Sequence, residues 1–259
     1  MKKPQRVAER REPVSTVEPA ASPFGYRDYL SAKSTLIAAA KRGPFYGCLS
    51  GSSGVGKTSL ARELAVALDR HEFILLYVAA SRVSTTGFAR HLAGALRAPV
   101  RRSALEMGRV VTEALRALPT HAIVWVDEAD RLPFDTLTEV RTLAECDESV
   151  AQTFSVVLSG APELVATLDE QRLFALKRRI SVPITLTGLA RDEVEAFLLH
   201  RFGSADAARV PNPLIDELFE RAQGAPALID TLARTALERA RPHKLEETHL
   251  REALHVLRL

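Results

Sequence analysis

The sequence is poor in cysteine and contains no long apolar run. Its two cysteines, Cys48 and Cys146, are too few for the disulfide framework of a small secreted domain. No stretch approaches the roughly 18 consecutive apolar residues that a membrane-spanning helix requires. The N-terminus is basic but lacks the apolar segment of a secretory signal. We therefore expect a cytoplasmic protein that does not insert into a membrane.

The composition permits a large folded core. The chain has 259 residues, of which 46% are apolar and 26% are charged. At roughly 150 residues per domain, this length corresponds to one or two domains. The net charge of +3 and the pI near 9.0 are mildly basic, which permits binding to nucleic acid without demonstrating it.

A glycine-rich stretch carries the clearest chemical signal. Residues 51–58 read GSSGVGKT and match G-x-x-x-x-G-K-[ST] at every fixed position. Such a loop wraps a polyphosphate with its backbone N–H groups, its lysine reaches the β- and γ-phosphates, and its hydroxyl ligates Mg²⁺. An apolar run precedes the loop, and leucines at i, i+4 and i+8 follow it. This pattern predicts a strand, the loop and then a helix whose N-terminus faces the phosphate. The predicted ATP-binding residues are Gly51, Ser52, Ser53, Gly54, Val55, Gly56, Lys57, Thr58 and Ser59.

A second buried strand ends in two carboxylates. The apolar run AIVWVDE ends at Glu128, and α/β folds place their ligands at the carboxyl ends of such strands. We expect Asp127 to bind Mg²⁺ together with Thr58, and Glu128 to act with Lys57 in catalysis by orienting the attacking water. The alternative is that the segment is an ordinary buried strand and that its terminal carboxylates only form the N-cap of the next helix. Ser159 ends a later strand, where it either contacts the γ-phosphate or is an ordinary strand-end serine.

Apolar runs alternate with helical patterns up to Thr187. This alternation predicts a five-stranded, parallel, doubly wound α/β core. Beyond it, four amphipathic helices punctuated by Gly and Pro predict a small helical lid. The predicted strands span 45–49, 73–79, 122–128, 154–159 and 182–186, and one helix is expected over 163–179. The predicted domains are a flexible basic tail (1–23), the α/β nucleotide-binding domain (24–187) and the lid (188–259).

The predicted tail is strongly basic at its start. Its first eleven residues carry five basic side chains and one acidic one, Glu9. A short charge run of this kind is either a solvated leader or an arm that contacts nucleic acid or a partner protein.

Arginine is concentrated between residues 81 and 118, where lysine is absent. Seven arginines stand there against only Glu106 and Glu113. Guanidinium groups suit phosphate contacts of fixed geometry, and the scarcity of aromatic residues disfavours stacking on single-stranded bases. The pattern favours contacts with double-stranded DNA, while a solvated cationic surface is the alternative. The candidate DNA-binding residues are Arg82, Arg90, Arg97, Arg101, Arg102 and Arg109, and Arg116 completes the set of seven.

Five motifs occur in a recognisable order: the phosphate loop, VWVDEAD, VVLSGAPEL, LKRRI and GAPALIDTLARTAL. Together they resemble an AAA+ ATPase of the ExeA/TniB/TnsC group, close to the initiator-like branch, over about residues 24–257. The resemblance implies ATP hydrolysis and assembly into a ring or helical filament with ATP between protomers. It also implies an arginine finger at Arg179 or Arg178, although the helix dipole favours a basic helix end in any protein.

One position departs from the pattern of this group. Its lid motif usually reads G-x-P-R, with the arginine on the γ-phosphate, whereas this chain has Ala227 there. We therefore expect slow turnover that assembly or a partner stimulates.

The resemblance leaves three functions open. The first is a regulator of DNA transposition that oligomerises on DNA and recruits or activates a transposase or another recombination protein. We favour it because secretion-type relatives continue beyond the ATPase domain into a membrane span, whereas this sequence ends at Leu259. The second is an ExeA-like secretion or envelope-assembly ATPase that acts through a separate membrane partner. The third is a scaffold that switches with nucleotide without hydrolysing it.

Overall fold

A parallel sheet organises the chain. The computed structural model describes residues 23–79, 85–144 and 154–258, so Arg82, Cys146 and the predicted tail up to residue 22 lie outside the described residues. Five strands lie in the order β2-β3-β4-β1-β5, and every neighbouring pair is parallel. The strands are β1 (Tyr46–Gly51), β2 (Phe73–Ala79), β3 (His121–Asp127), β4 (Ser155–Gly160) and β5 (Ile180–Leu186). The predicted α/β fold class is confirmed.

Helices cover both faces of this sheet. Successive side chains of a strand point to opposite faces, so Trp125 of β3 joins one apolar cluster and its neighbours Val124 and Val126 join the other. The helices on the Trp125 face are α1 (Arg27–Arg42) and α2 (Lys57–Ala67). The helices on the other face are α3 (Thr85–Ala95), α4 (Ala104–Arg116) and α5 (Phe134–Ala144). Burial of β3 on both faces explains its unbroken apolar run.

Two helical segments differ from the sequence-based expectation. The single helix predicted over 163–179 is wrong, because the chain breaks at Glu170, whose backbone is extended. The break follows from the spacing of buried leucines: Leu168 and Leu173 are five positions apart and would not share one face of a regular helix. The segment instead forms α6 (Glu163–Leu168), a 3₁₀ turn (Gln171–Leu173) and α7 (Phe174–Lys177). Helix α5 is the second difference, since no helix is predicted there although Phe134, Leu137 and Val140 recur every three residues.

Four helices follow the sheet. They are α8 (Val194–Ala207), α9 (Asn212–Ala222), α10 (Pro226–Ala240) and α11 (Glu247–Leu257), and we call them the C-terminal helices. Their buried side chains belong to the same apolar cluster as those of α1 and α2. The apolar core of the C-terminal helices is therefore continuous with the core that α1 and α2 form with the sheet. No helix in the described parts of the chain is long and apolar enough to cross a membrane.

Candidate nucleotide-binding site

The glycine-rich loop joins β1 to α2 at the carboxyl edge of the sheet. α2 begins at Lys57, so its N-terminus faces the loop as predicted. Gly54 and Gly56 have φ values of +80° and +107°, which residues with a Cβ rarely adopt. A Cβ on Gly51 would lie 2.7 Å from the carbonyl oxygen of Leu186. Backbone conformation and close packing thus explain why glycine stands at these three positions.

Lys57 lies over the loop. Its ammonium group donates hydrogen bonds to the carbonyl oxygens of Gly51 and Ser52, at 2.5 and 2.9 Å. Burial lowers the pKa of Lys57, and the carboxylates at the end of β3 oppose this effect. The cation therefore lies between the loop backbone and those carboxylates, where a lysine can bind a phosphate group.

Asp127 is the centre of a hydrogen-bond network. Thr58 Oγ1 donates to its Oδ2 at 2.7 Å, and Ser159 Oγ donates to its Oδ1 at 3.0 Å. The backbone N–H of Glu128 also donates to Oδ1, at 3.1 Å. The structure thus brings together three predicted site residues from separate stretches of the chain. The Ser159 hydroxyl, which is fully buried, is directed at Asp127.

Tyr77 also belongs to this network, although sequence reasoning missed it. Its phenol donates a hydrogen bond of 2.6 Å to Oδ2 of Asp127. Burial, reinforced by this hydrogen bond, raises the pKa of Tyr77 well above its usual range, so the phenol stays protonated and remains a donor. In the sequence Tyr77 lies in the apolar run FILLYVA, where a tyrosine predicts only a core position.

Glu128 follows β3 in a left-handed backbone conformation, with a φ of 56°. A residue other than glycine in this conformation costs on the order of 1 kcal/mol, and such strain is concentrated at functional sites. Its side chain is 44% exposed and lies 3.5 Å from the guanidinium group of Arg131. The carboxylate is therefore beside Asp127 and accessible, which are the requirements for a residue that orients water.

Asp130 connects the ends of β3 and β4, and the sequence analysis gave it no role. Its Oδ1 accepts a hydrogen bond of 2.9 Å from the backbone N–H of Ala161. A Cβ on Gly160 would lie 2.5 Å from the same oxygen, so glycine is required there. The only signal was its position in the motif VWVDEAD.

Two buried tyrosines support the loop from the start of α1. The phenol of Tyr26 donates a hydrogen bond of 2.7 Å to the carbonyl oxygen of Val55. The ring of Tyr29 lies 3.4 Å from the position that a Cβ on Gly56 would take. Helix α1 thus holds the backbone of the loop in place through residues that the sequence showed only as apolar positions.

Ala227, where the family pattern has arginine, contacts the loop through its backbone. Its N–H donates a hydrogen bond of 3.2 Å to the carbonyl oxygen of Gly54. The C-terminal helices therefore reach the loop at this position without a charged side chain.

Arg178 and Arg179 lie at the opposite edge of the sheet from the loop. β5 begins beside Tyr46 of β1 and ends beside Gly51. Both arginines precede β5 and are exposed. The length of the strand separates them from the loop by roughly 20 Å, so neither reaches the site of its own chain.

The arginines of α3, α4 and the loop between them are exposed and form no ion pair within the described residues. The C-terminal helices differ, since their arginines pair with carboxylates, as Arg221 does with Glu217 and Arg251 with Glu247. The candidate DNA-binding region thus has an excess of positive charge, although Glu106 and Glu113 are also exposed on α4. Its described members, which we call the arginine surface, are Arg90, Arg97, Arg101, Arg102, Arg109 and Arg116.

The residues at the loop fit a nucleotide with Mg²⁺. Mg²⁺ prefers oxygen ligands, and the Thr58 hydroxyl and the Asp127 carboxylate lie 2.7 Å apart. The loop backbone and Lys57 supply donors for phosphate oxygens. The metal, when bound, would neutralise charge that develops on the phosphates.

Comparison with known proteins agrees with this geometry. Residues 41–168 match the model of a family described as AAA domain. This segment of the chain is therefore similar to an AAA domain. Cdc6p from Pyrobaculum aerophilum superposes with a TM-score of 0.67 at 20% identity, over 88% of this chain and 66% of that protein. The Aeropyrum pernix ORC1 protein, solved in complex with DNA, has a TM-score of 0.66 at 19% identity, over 92% and 66%. These likenesses show the AAA+ fold.

The chain is also similar to a curated protein, the general secretion pathway protein A of Aeromonas hydrophila. The two are 26% identical over 197 residues, which are 73% of this chain and 36% of the relative. The chain thus spans little more than a third of that relative's length.

Proposed function

We propose that the chain is an ATP-hydrolysing AAA+ protein of the cytoplasm that assembles on double-stranded DNA and regulates transposition by recruiting or activating a transposase. The first part of the proposal is supported by the nucleotide site. Lys57 binds the phosphates, Thr58 and Asp127 hold Mg²⁺, and Glu128 orients the attacking water. The surrounding network supports this assignment, because Asp127 receives hydrogen bonds from Thr58 and Ser159.

The arginine surface is the observation that carries the DNA-binding part. Its guanidinium groups are exposed and have no carboxylate partner in the described residues, whereas the arginines of the C-terminal helices do. Unpaired guanidinium groups on two neighbouring helices and the loop between them suit the closely spaced phosphates of a duplex. The fold is shared with an ORC1 protein that was solved bound to DNA, which adds weight to this assignment.

Assembly completes the proposed mechanism. Arg178 and Arg179 are too far from their own loop to act there, so either would act on the nucleotide of a neighbouring protomer. A guanidinium group supplied in this way stabilises the charge that develops on the γ-phosphoryl group. Hydrolysis would then depend on assembly into a ring or a filament. Because Ala227 supplies no cation, we expect slow turnover in the isolated protomer.

The relative from Aeromonas hydrophila favours a second candidate. In this alternative the AAA domain serves secretion or envelope assembly and acts through a separate membrane partner. The arginine surface would then contact a protein, and DNA would have no effect on assembly or turnover.

Electron microscopy with a slowly hydrolysed ATP analogue tests the proposal. The protein is imaged with and without a linear DNA duplex, and Lys57→Ala is the matched variant that cannot bind phosphate. Rings or filaments that enclose the duplex, form with the analogue and are lost in Lys57→Ala are the expected result. Assemblies that form equally well without DNA would contradict the DNA-binding part and favour the second candidate.

A further inference from the structure

Tyr77 and Thr58 donate hydrogen bonds to the same oxygen of Asp127, at 2.6 and 2.7 Å. We propose that Tyr77 is a positioning residue for Mg²⁺, which acts by holding the Asp127 carboxylate in the orientation that the metal site requires. This inference rests on the proposed nucleotide site and assigns a role to a residue that the phosphate-loop motifs do not contain.

The sheet register explains why a tyrosine at this position reaches the site. β2 and β3 pair in parallel, with Tyr77 beside Trp125 and Ala79 beside Asp127. Tyr77 and Asp127 therefore point to the same face of the sheet and are diagonal neighbours across the two strands. The long tyrosine side chain spans this diagonal, and its ring packs among buried apolar side chains. The phenol is thus presented to Asp127 from a rigid strand.

The other oxygen of the carboxylate is held separately. Oδ1 accepts hydrogen bonds from Ser159 Oγ and from the backbone N–H of Glu128. With Tyr77 and Thr58 on Oδ2, donors hold the carboxylate at both ends. Without Tyr77, Thr58 would be the remaining donor to Oδ2 among the described residues, and Thr58 is also the predicted Mg²⁺ ligand. A separate donor on Oδ2 keeps the carboxylate oriented independently of the residue that ligates the metal.

Tyr77→Phe tests this role because it removes one hydroxyl and keeps the ring. The matched control is Tyr46→Phe, since Tyr46 is a buried strand tyrosine whose phenol donates a hydrogen bond of 3.4 Å to the carbonyl oxygen of Arg141. ADP affinity is measured by calorimetry with Mg²⁺ and with EDTA. We expect Tyr77→Phe to reduce the gain in ADP affinity that Mg²⁺ provides by roughly tenfold, as for other residues that orient metal ligands. Binding in EDTA should be unchanged, and Tyr46→Phe should match the wild type.

Three results would overturn the inference. An unchanged effect of Mg²⁺ in Tyr77→Phe would show that the hydroxyl has no part in orienting Asp127. Equal losses with Mg²⁺ and with EDTA would show a general structural role. A wild-type protein that fails to bind ADP would overturn the proposed function itself, whereas the first two results leave that function standing.

Discussion

The backbone N–H of Ala227 donates a hydrogen bond to the carbonyl oxygen of Gly54, 3.2 Å away. This bond joins the first turn of α10 to the phosphate loop. It depends on small residues at both positions, because a Cβ on Gly54 would lie 3.0 Å from the Cβ of Ala227. The position where the resemblance predicts an arginine is therefore one of direct backbone contact, and the loop and the C-terminal helices should move together.

A methyl group at Gly54 should break this contact. Gly54 and Gly203 have nearly equal φ values of +80° and +77°, but a Cβ on Gly203 would meet nothing within 4 Å. Alanine at either position should cost roughly 1–2 kcal/mol of stability through backbone strain. Only Gly54→Ala should also separate α10 from the loop, which hydrogen exchange would detect as faster exchange of the Ala227 amide. Unchanged exchange of this amide in Gly54→Ala would show that the contact is not needed to hold α10.

Replacing Glu128 with glutamine should separate binding from hydrolysis. The amide keeps the size of the side chain but cannot accept a proton from water, so turnover should fall by roughly 100-fold or more. ATP affinity should stay within about twofold of wild type, because the loop and Lys57 are intact. The control is Glu170→Gln, which removes an exposed carboxylate paired with Arg172. If wild type and Glu128→Gln were equally inactive with and without DNA, hydrolysis would be the wrong assignment and the non-hydrolysing scaffold would be favoured.

Loss of two arginines from the arginine surface should change the salt dependence of DNA binding. Arg101→Ala with Arg102→Ala should weaken binding and reduce the log–log slope against salt by roughly one to two units, as for two lost phosphate contacts. Fluorescence anisotropy with a labelled duplex at several salt concentrations measures this slope.

A double variant of Arg221→Ala and Arg251→Ala is the matched control for charge, since both arginines are paired with carboxylates on the C-terminal helices. Its slope should equal that of the wild type. Equal slopes in all three proteins would place the DNA-binding site elsewhere, for example in the basic N-terminal segment.

Glu139 should make stability depend on pH. Burial raises the pKa of Glu139 to about 7, and its Oε2 has no hydrogen-bond partner in the described part of the chain. Because the folded pKa is higher than the unfolded one, folding favours the protonated form. The resulting stabilisation is complete below the unfolded pKa and is lost as the pH rises through about 7.

Thermal unfolding of Glu139→Gln measures this contribution. Between pH 5 and pH 8 the melting temperature of the wild type should fall further than that of the variant, because glutamine does not titrate. Glu195→Gln, at an exposed position of α8, should behave as the wild type. The idea would be wrong if Glu139→Gln and wild type had parallel pH profiles.

Much of the fold could be predicted because its strands and most of its helices have local patterns of apolar residues. β3 is buried on both faces, so its residues form an unbroken apolar run. The helix predicted over 163–179 is wrong because the pairs Leu164/Leu168 and Leu173/Leu176 each have helical spacing, whereas Leu168 and Leu173 do not. Their true arrangement depends on a break at Glu170 that lets Leu173 and Leu176 both reach the core. Helix α5 is not among the predicted elements, although its apolar residues recur every three positions.

The candidate site likewise contains residues that the sequence predicted and residues that only the tertiary structure revealed. A phosphate loop must present consecutive backbone N–H groups, so Gly51 to Thr58 form a contiguous pattern that the sequence alone determined. Asp127 and Glu128 were recognisable because they end an apolar strand. The tertiary structure decided which side chains converge on Asp127, since Thr58, Tyr77 and Ser159 come from three different elements. It also decided that Ala227 contacts Gly54. Contacts between distant segments depend on how the strands and helices pack, and a local sequence pattern does not contain that information.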